Sequence, residues 1–268
     1  MKHYPTYLQS LGLLLIFLLC SIISMLIVIP FFSYDSAIGL SLIYTLSLCL
    51  AIGFGLFIRR QYQFSVKRFS VVAVLIASIC LIGIHMLLDP LTSLVPPSEL
   101  FNKMLLETIK QPVPYFFMIV IAAPILEELF FRGIILDGFL KNYEPKYAIL
   151  ASAFLFGAIH GNLPQGIGAF LSGILIGWVY WKTGSVLSGI IIHLINNLVS
   201  FISVMLTPET ELFMSMRDSI GNPLYYWLLV IGSGLIALAG LGVLAKYFFK
   251  MADSVETLQE ESMPQPKD

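Results

Sequence analysis

The chain has 268 residues, 58% of them hydrophobic and only 12% charged, and its formal net charge at pH 7 is −1. Soluble domains are closer to half apolar and a quarter charged, so this composition, with a mean hydropathy of +0.89, excludes an ordinary soluble protein and predicts one that lies in lipid. The near-neutral charge argues against a nucleic-acid partner, because such partners favour a basic surface.

Eight apolar stretches follow one another along the chain, and a membrane-spanning helix needs about 20 such residues. They cover residues 8–32, 37–58, 70–88, 113–140, 147–160, 166–181, 186–206 and 224–249. The first exceeds the apolar length of a signal peptide and no cleavage motif follows it, so we expect it to remain as a span. The pattern predicts an all-α integral membrane protein of about eight transmembrane helices over residues 1–250, with a disordered polar tail over residues 251–268.

Lysine and arginine are distributed unevenly between the two sides that these spans define. If the N-terminus is cytoplasmic, one side carries Lys2, Arg59, Arg60, Lys67, Arg68, Lys141, Lys146, Lys182, Lys246 and Lys250. The other side carries Lys103, Lys110 and Arg217. Because basic residues concentrate in cytoplasmic loops, both termini are predicted to be cytoplasmic.

Small residues recur in the sixth stretch at helical spacing. They are Gly166, Gly168, Ser172, Gly173 and Gly177. Small residues allow helix backbones in a membrane to approach closely, so this pattern predicts tight packing against another helix.

Three charged residues interrupt the fourth stretch: Glu127, Glu128 and Arg132. Each charge at the bilayer centre costs about 2.5–3.5 kcal/mol, so these side chains must face a polar interior. Glu128 and Arg132 are four residues apart and can pair on one helix face. Glu127 lies about 140° around the helix from Arg132, so we expect it to be largely free of that partner.

Polar residues also interrupt two later stretches. His160 follows Phe156 by four residues, and Asn197 follows His193 by four. At 1.5 Å per residue from the cytoplasmic edge, Glu127 and His160 lie about 21 Å deep, His193 about 17 Å and Asn197 about 23 Å. Groups from three separate spans thus share one layer, as a functional site requires.

A structural interpretation competes with this functional one, because a lone intramembrane histidine usually makes a hydrogen bond that packs two helices. We interpret His85 in that way. For the set of Glu127, Glu128, Arg132, His160, His193 and Asn197, the functional interpretation is favoured, since buried polar groups are expensive and these share a depth.

The residue types suggest hydrolysis with water as the nucleophile. Buried Glu127 could act as general base on a water held by His160. His193 and Asn197 could donate hydrogen bonds to the oxyanion of a tetrahedral intermediate. Alternatively, His160, His193 and Glu127 could bind zinc or another divalent metal and leave its fourth position for water. No HExxH motif occurs, and these residues leave both arrangements open.

These motifs resemble the CPBP family, which groups eukaryotic CAAX-processing endopeptidases with bacterial Abi proteins linked to bacteriocin processing and immunity. The resemblance rests on Glu127-Glu128-x-x-x-Arg132, Phe156-x-x-x-His160 and His193-x-x-x-Asn197, and its core covers residues 113–206. It implies an intramembrane endopeptidase built as an eight-helix bundle around a polar cavity open to the cytosol. It also implies that Glu127 and His160 activate water, that His193 and Asn197 stabilise the oxyanion, and that Glu128 and Arg132 support them.

The size and short loops of the chain are similar to those of the bacterial branch, so we expect a multi-pass protein of a bacterial cell membrane. Its partners are then the lipid bilayer and a membrane-associated peptide or protein substrate. Two other functions remain open. One is a non-catalytic scaffold or bacteriocin-immunity protein. The other is a proton-coupled transporter, against which the lack of a second EExxxR pattern counts, since transporters often contain internal repeats.

Overall fold

The computed structural model describes residues 3–33, 36–95 and 99–262, and it contains α-helices, π-helical segments and no strand within them. The all-α prediction is therefore confirmed. The helices are α1 Tyr7–Val28, α2 Ala37–Arg59, α3 Val71–Thr92, α4 Glu99–Lys110, α5 Pro112–Tyr115, α6 Ala123–Phe130, α7 Asp137–Leu140, α8 Pro145–Ala158, α9 Leu163–Thr183, α10 Val186–Leu206, α11 Met216–Ile220 and α12 Pro223–Ser262. Two π-helical segments, π1 Phe116–Ala122 and π2 Phe131–Leu136, lie on either side of α6.

Six of the described helices are long and apolar enough to cross a membrane: α1, α2, α3, α9, α10 and α12. Many large apolar side chains on them face outward, such as Leu8 at 79% and Leu26 at 70% exposure, while Ser10 and Ser24 are fully buried. Apolar groups outside and small polar groups inside are what a lipid environment favours, so the fold is that of a multi-pass integral membrane protein.

The fourth and fifth predicted spans do not form single long helices. Residues 112–140 form a run of helical segments from α5 to α7 that contains π1 and π2, and α8 has only 14 residues. The count of eight spans and the cytoplasmic orientation of the termini therefore remain predictions.

The C-terminal tail differs from expectation. We predict disorder from residue 251, whereas α12 continues to Ser262. Its added turns contain no glycine or proline and include good helix formers such as glutamate, glutamine and leucine, so an existing helix can simply extend. Residues 263–268 lie outside the described chain.

Side chains at the helix ends satisfy backbone groups that the helices leave free. Thr6 begins α1 with a capping box: its backbone N–H donates to Gln9 Oε1 at 2.8 Å and its hydroxyl accepts from the Gln9 N–H at 3.4 Å. Asn162 caps α9 by accepting from the Gln165 N–H at 2.9 Å. Gly184 ends α9 in the left-handed region at φ 62°, where glycine carries no steric cost.

The N-terminal segment is fastened to the turn after α7. The His3 N–H donates to Asn142 Oδ1 at 2.8 Å, and Asn142 Nδ2 donates to the His3 carbonyl at 2.7 Å. A Cβ on Gly138 would lie 2.3 Å from Pro5, so the segment packs directly on the α7 backbone. We call this contact between residues 3–5 and residues 138–142 the N-terminal clamp.

Helix pairs build the bundle around α10. The largest contacts join α1 to α2, α8 to α9 and α3 to α12, while α10 touches α3, α6 and α9. The α8–α9 contact is close, because a Cβ on Gly173 would lie 2.9 Å from Ala153 Cα and one on Gly157 would lie 2.7 Å from the Gly166 carbonyl oxygen. This confirms the packing role predicted for Gly166 and Gly173. A separate contact places α6 beside α10.

Candidate active site

A fully buried ion pair lies at the centre of the bundle. Arg132 Nη1 donates to Glu128 Oε1 at 2.9 Å, and the two side chains are 1% and 0% exposed. The guanidinium also lies 4.6 Å from the centre of the Phe156 ring and donates to the Gly173 carbonyl at 3.5 Å. The predicted pairing of Glu128 with Arg132 is confirmed, and no ion pair joins Glu127 to Arg132 among the described residues.

His193 on α10 is held by the same carboxylate. Its Nδ1 lies 2.9 Å from Glu128 Oε1, and because the carboxylate only accepts, Nδ1 carries a proton. Its Nε2 then faces Glu127, 3.9 Å from Oε2. His193 therefore connects the two glutamates of α6, and its ring orientation is fixed by Glu128.

Glu128 needs a glycine opposite it on α10. A Cβ on Gly189 would come within 2.9 Å of Glu128 Oε2 and within 2.9 Å of Ile176 Cγ2. Glu128 Oε2 has no hydrogen-bond partner among the described residues, although it is fully buried. Because glycine has no side chain, Gly189 leaves the space that the Glu128 carboxylate occupies.

Glu127 is 7% exposed and has a partner that sequence analysis missed. The phenol of Tyr44 on α2 donates a hydrogen bond to Glu127 Oε1. The only signal in the sequence is a tyrosine in the middle of a span, where a hydroxyl group requires a partner. Glu127 thus lies between Tyr44 on α2 and His193 on α10.

His160 lies in the turn that follows α8, two residues past the helix end at Ala158, whereas the predicted span includes it. Its Nδ1 is 2.8 Å from the Phe156 carbonyl oxygen, so it satisfies a free carbonyl of the last helical turn. Since that carbonyl only accepts, the proton is on Nδ1, and Nε2 of the neutral ring is left as an acceptor.

Phe156 connects the two histidines. Its ring centre lies 5.1 Å from that of His160 and 5.8 Å from that of His193, both in edge-to-face orientation. No hydrogen bond joins His160 to Glu127 in the described part of the chain. Phe156 lies between His160 and His193, and His193 in turn faces Glu127.

Asn197 lies one turn beyond His193 and contacts π1. Its Nδ2 donates to the Ile119 carbonyl at 2.9 Å, and its Oδ1 accepts from Asn196 Nδ2 at 3.3 Å. A π-helical segment interrupts the regular hydrogen bonding of a helix and is frequent at functional sites. The amide of Asn197 has a second N–H group that this bond does not use.

Other expectations have mixed outcomes. His85 accepts or donates a hydrogen bond with Ser172 Oγ at 3.0 Å, which confirms its interpretation as a residue that packs two helices. No group of three or more His, Cys, Asp or Glu side chains is arranged to hold a metal ion within residues 3–33, 36–95 and 99–262. His160, His193 and Glu127 thus do not form a three-ligand set in this conformation. Two surface cavities lie beside Asp137 and beside Tyr143, and no motif residue lines either of them.

The fold and this cluster define a multi-pass membrane protein with paired acids and an imidazole buried in its interior. Residues 109–199 match the family model for the Rce1-like proteins, described as type II CAAX prenyl endopeptidase Rce1-like. The match covers about one third of the chain, includes all seven motif residues and confirms the CPBP resemblance over that segment. Neither the curated proteins nor the solved structures gave a match to the chain.

Proposed function

We propose that the chain is an intramembrane endopeptidase that cleaves a peptide bond of a membrane-associated peptide or protein. The observation that carries this proposal is the position of Glu127, buried inside the family-matched segment with its Oε2 3.9 Å from His193 Nε2. Intramembrane acids are expensive and usually functional. A buried carboxylate that faces an imidazole is a suitable acid–base pair for hydrolysis.

Glu127 and His160 would activate the water. Because Tyr44 occupies Glu127 Oε1, Oε2 is the oxygen available as a base. Nε2 of His160 is available as an acceptor, since Nδ1 donates to Phe156. As the water oxygen attacks the substrate carbonyl carbon, its proton passes to Glu127. The carbon–nitrogen bond then breaks, and Glu127 returns the proton to the leaving amine.

His193 would stabilise the oxyanion from Nε2. Glu128 accepts from Nδ1 at 2.9 Å, so the ring can donate toward substrate only when Nε2 also carries a proton. Glu128 and Arg132 therefore act as supports that orient His193.

Asn197 would supply a second donor to the oxyanion. Its bond to the Ile119 carbonyl fixes the amide plane and leaves one N–H for substrate. Loss of a single oxyanion donor typically lowers kcat by about 10²–10³-fold. The contact with π1 supports this role, because it holds the amide in place before substrate arrives.

The substitution that tests this function is Glu127→Gln, which keeps the shape of the side chain but removes the base. Protein in proteoliposomes is given two internally quenched probes, a farnesylated peptide ending in a CAAX sequence and an unprenylated transmembrane peptide, with mass spectrometry of the products. Wild type should cleave at least one probe, and Glu127→Gln should bind that probe and leave it intact. Glu107→Gln is the matched control, since Glu107 pairs with Lys110 on α4 away from the cluster.

Two results would contradict the proposed mechanism. Cleavage that survives Glu127→Gln removes Glu127 as the base, and no cleavage of either probe by wild type favours the scaffold or immunity function. The same assay addresses zinc and other divalent metals. Activity that chelation abolishes and metal restores would assign His160, His193 and Glu127 as ligands, whereas full activity in metal-free protein supports direct activation of water.

A further inference from the structure

Among the described residues, Tyr44 is the hydrogen-bonding partner of Glu127 that comes from outside the family-matched segment. It lies on α2, 83 residues before Glu127, and its phenol donates to Glu127 Oε1. The ring is partly buried and packs against the core that contains Leu48, Phe130 and Ile134. Its position is therefore fixed by packing as well as by the hydrogen bond.

The bond affects how Glu127 presents its two oxygens. A phenol that donates to Oε1 limits rotation of the carboxylate and leaves Oε2 facing His193 Nε2, 3.9 Å away. A phenol is neutral at neutral pH, so it orients the carboxylate without adding a positive charge that would pair with it. An arginine or lysine in the same place would hold Glu127 as an ion pair and make it a poorer base.

We infer that Tyr44 is a positioning residue of the active site, which fixes the Glu127 carboxylate so that Oε2 acts as the base. The inference rests on the proposed endopeptidase function. It extends the functional site from the matched segment to α2, and it gives one of the first helices a part in catalysis.

The test is Tyr44→Phe, which removes only the hydroxyl. Tyr226→Phe is the matched control, because the Tyr226 phenol also donates to a carboxylate between two helices, Asp89 Oδ2 at 2.9 Å, away from the site. On a probe that wild type cleaves, Tyr44→Phe should lower kcat by about ten-fold or more with little change in KM, as expected for loss of a hydrogen bond to a charged group. Tyr226→Phe should keep the wild-type kcat.

A double-mutant cycle with Glu127→Ala keeps the inference testable if Tyr44→Phe is poorly stable. If the hydroxyl acts through Glu127, Tyr44→Phe should reduce thermal stability in wild type and leave it unchanged in the Glu127→Ala background. Equal losses in both backgrounds would mean that Tyr44 acts by packing, and they would overturn the inference.

The activity results separate the two proposals. If wild type cleaves a probe, Glu127→Gln does not and Tyr44→Phe behaves as wild type, the role of Tyr44 is wrong and the endopeptidase function stands. If neither wild type nor Tyr226→Phe cleaves either probe, the endopeptidase function fails and the catalytic role of Tyr44 fails with it.

Discussion

Arg132 neutralises a carboxylate that has no access to water. Glu128 is 0% exposed, and its Oε1 accepts from both Arg132 and His193. Removing one partner of a buried ion pair leaves an uncompensated charge, which costs much more than the pair itself contributes. The pair therefore specifies the geometry around His193 more than it stabilises the bundle.

We expect Arg132→Met to lower the free energy of unfolding by about 3–5 kcal/mol, because Glu128 would stay buried without its guanidinium. Adding Glu128→Leu should recover much of that loss, since both charges are then gone, yet leave the protein inactive because His193 loses its acceptor. Chemical denaturation in detergent measures the free energy of unfolding of Arg132→Met and of the double variant.

The control for this experiment is Lys110→Met. Lys110 pairs with Glu107 one turn away, and its side chain is 61% exposed. The loss of a surface pair should cost at most about 1 kcal/mol. Equal effects of Arg132→Met and Lys110→Met would contradict the buried-charge argument.

Local contacts of the site could be predicted from sequence, and distant ones could not. The Glu128–Arg132 pair follows from a spacing of four residues on one helix. The Tyr44–Glu127 bond joins residues 83 apart, and nothing in the α2 sequence indicates which helix its tyrosine faces. Likewise, the bond of Asn197 to Ile119 depends on a backbone carbonyl, which leaves no pattern in the sequence.

At the scale of the helices, Gly173 has two roles in the close contact between α8 and α9. Its carbonyl oxygen accepts a hydrogen bond from Arg132 at 3.5 Å. A methyl group on Gly173 would lie 2.9 Å from the Cα of Ala153, an atom that cannot move aside without moving α8. Gly173 therefore affects both the distance between α8 and α9 and the surroundings of the Glu128–Arg132 ion pair.

We expect Gly173→Ala to reduce the free energy of unfolding by about 1–3 kcal/mol, as overpacking of a tight interface does. Hydrolysis should fall as well, because the Gly173 carbonyl that Arg132 contacts would shift with α9. The control is Gly53→Ala on α2, where no atom lies within 4 Å of the added carbon. That control should be neutral or slightly stabilising, since alanine favours a helix by up to about 1 kcal/mol. Equal melting temperatures of Gly173→Ala and Gly53→Ala in the same detergent would contradict the prediction.

Hydrophobic length predicted most helices well. The seventh stretch, 186–206, has the same bounds as α10, Val186–Leu206, and the second differs from α2 by one residue at its end. The fourth stretch failed to indicate π1 and π2, because a π-helical segment depends on tertiary contacts such as that of Asn197. The fifth stretch, 147–160, has the same length as α8 but is shifted by two residues, because α8 begins at Pro145 and ends at Ala158.

At the scale of the whole molecule, the proposed orientation places the loop between α2 and α3 in the cytoplasm and the segment after α10 outside. Single cysteines at Gln61 and Glu209, both exposed, would test it in a background with Cys20, Cys49 and Cys80 replaced by alanine. A membrane-impermeant maleimide added to intact cells should label Glu209→Cys and spare Gln61→Cys. Permeabilised cells should show labelling of both, and the reverse pattern in intact cells would invert the topology.

The N-terminal clamp can form only late in biosynthesis. His3 bonds to Asn142, 139 residues later, so the first helix enters the bilayer long before its final neighbour has been translated. At about 5–20 residues per second, roughly 7–28 s pass between the two events. During that interval α1 has α2 as its partner, and α3 still lacks α12, which comes much later in the chain. The contact between α3 and α12 therefore forms only after α12 has been translated and has entered the bilayer.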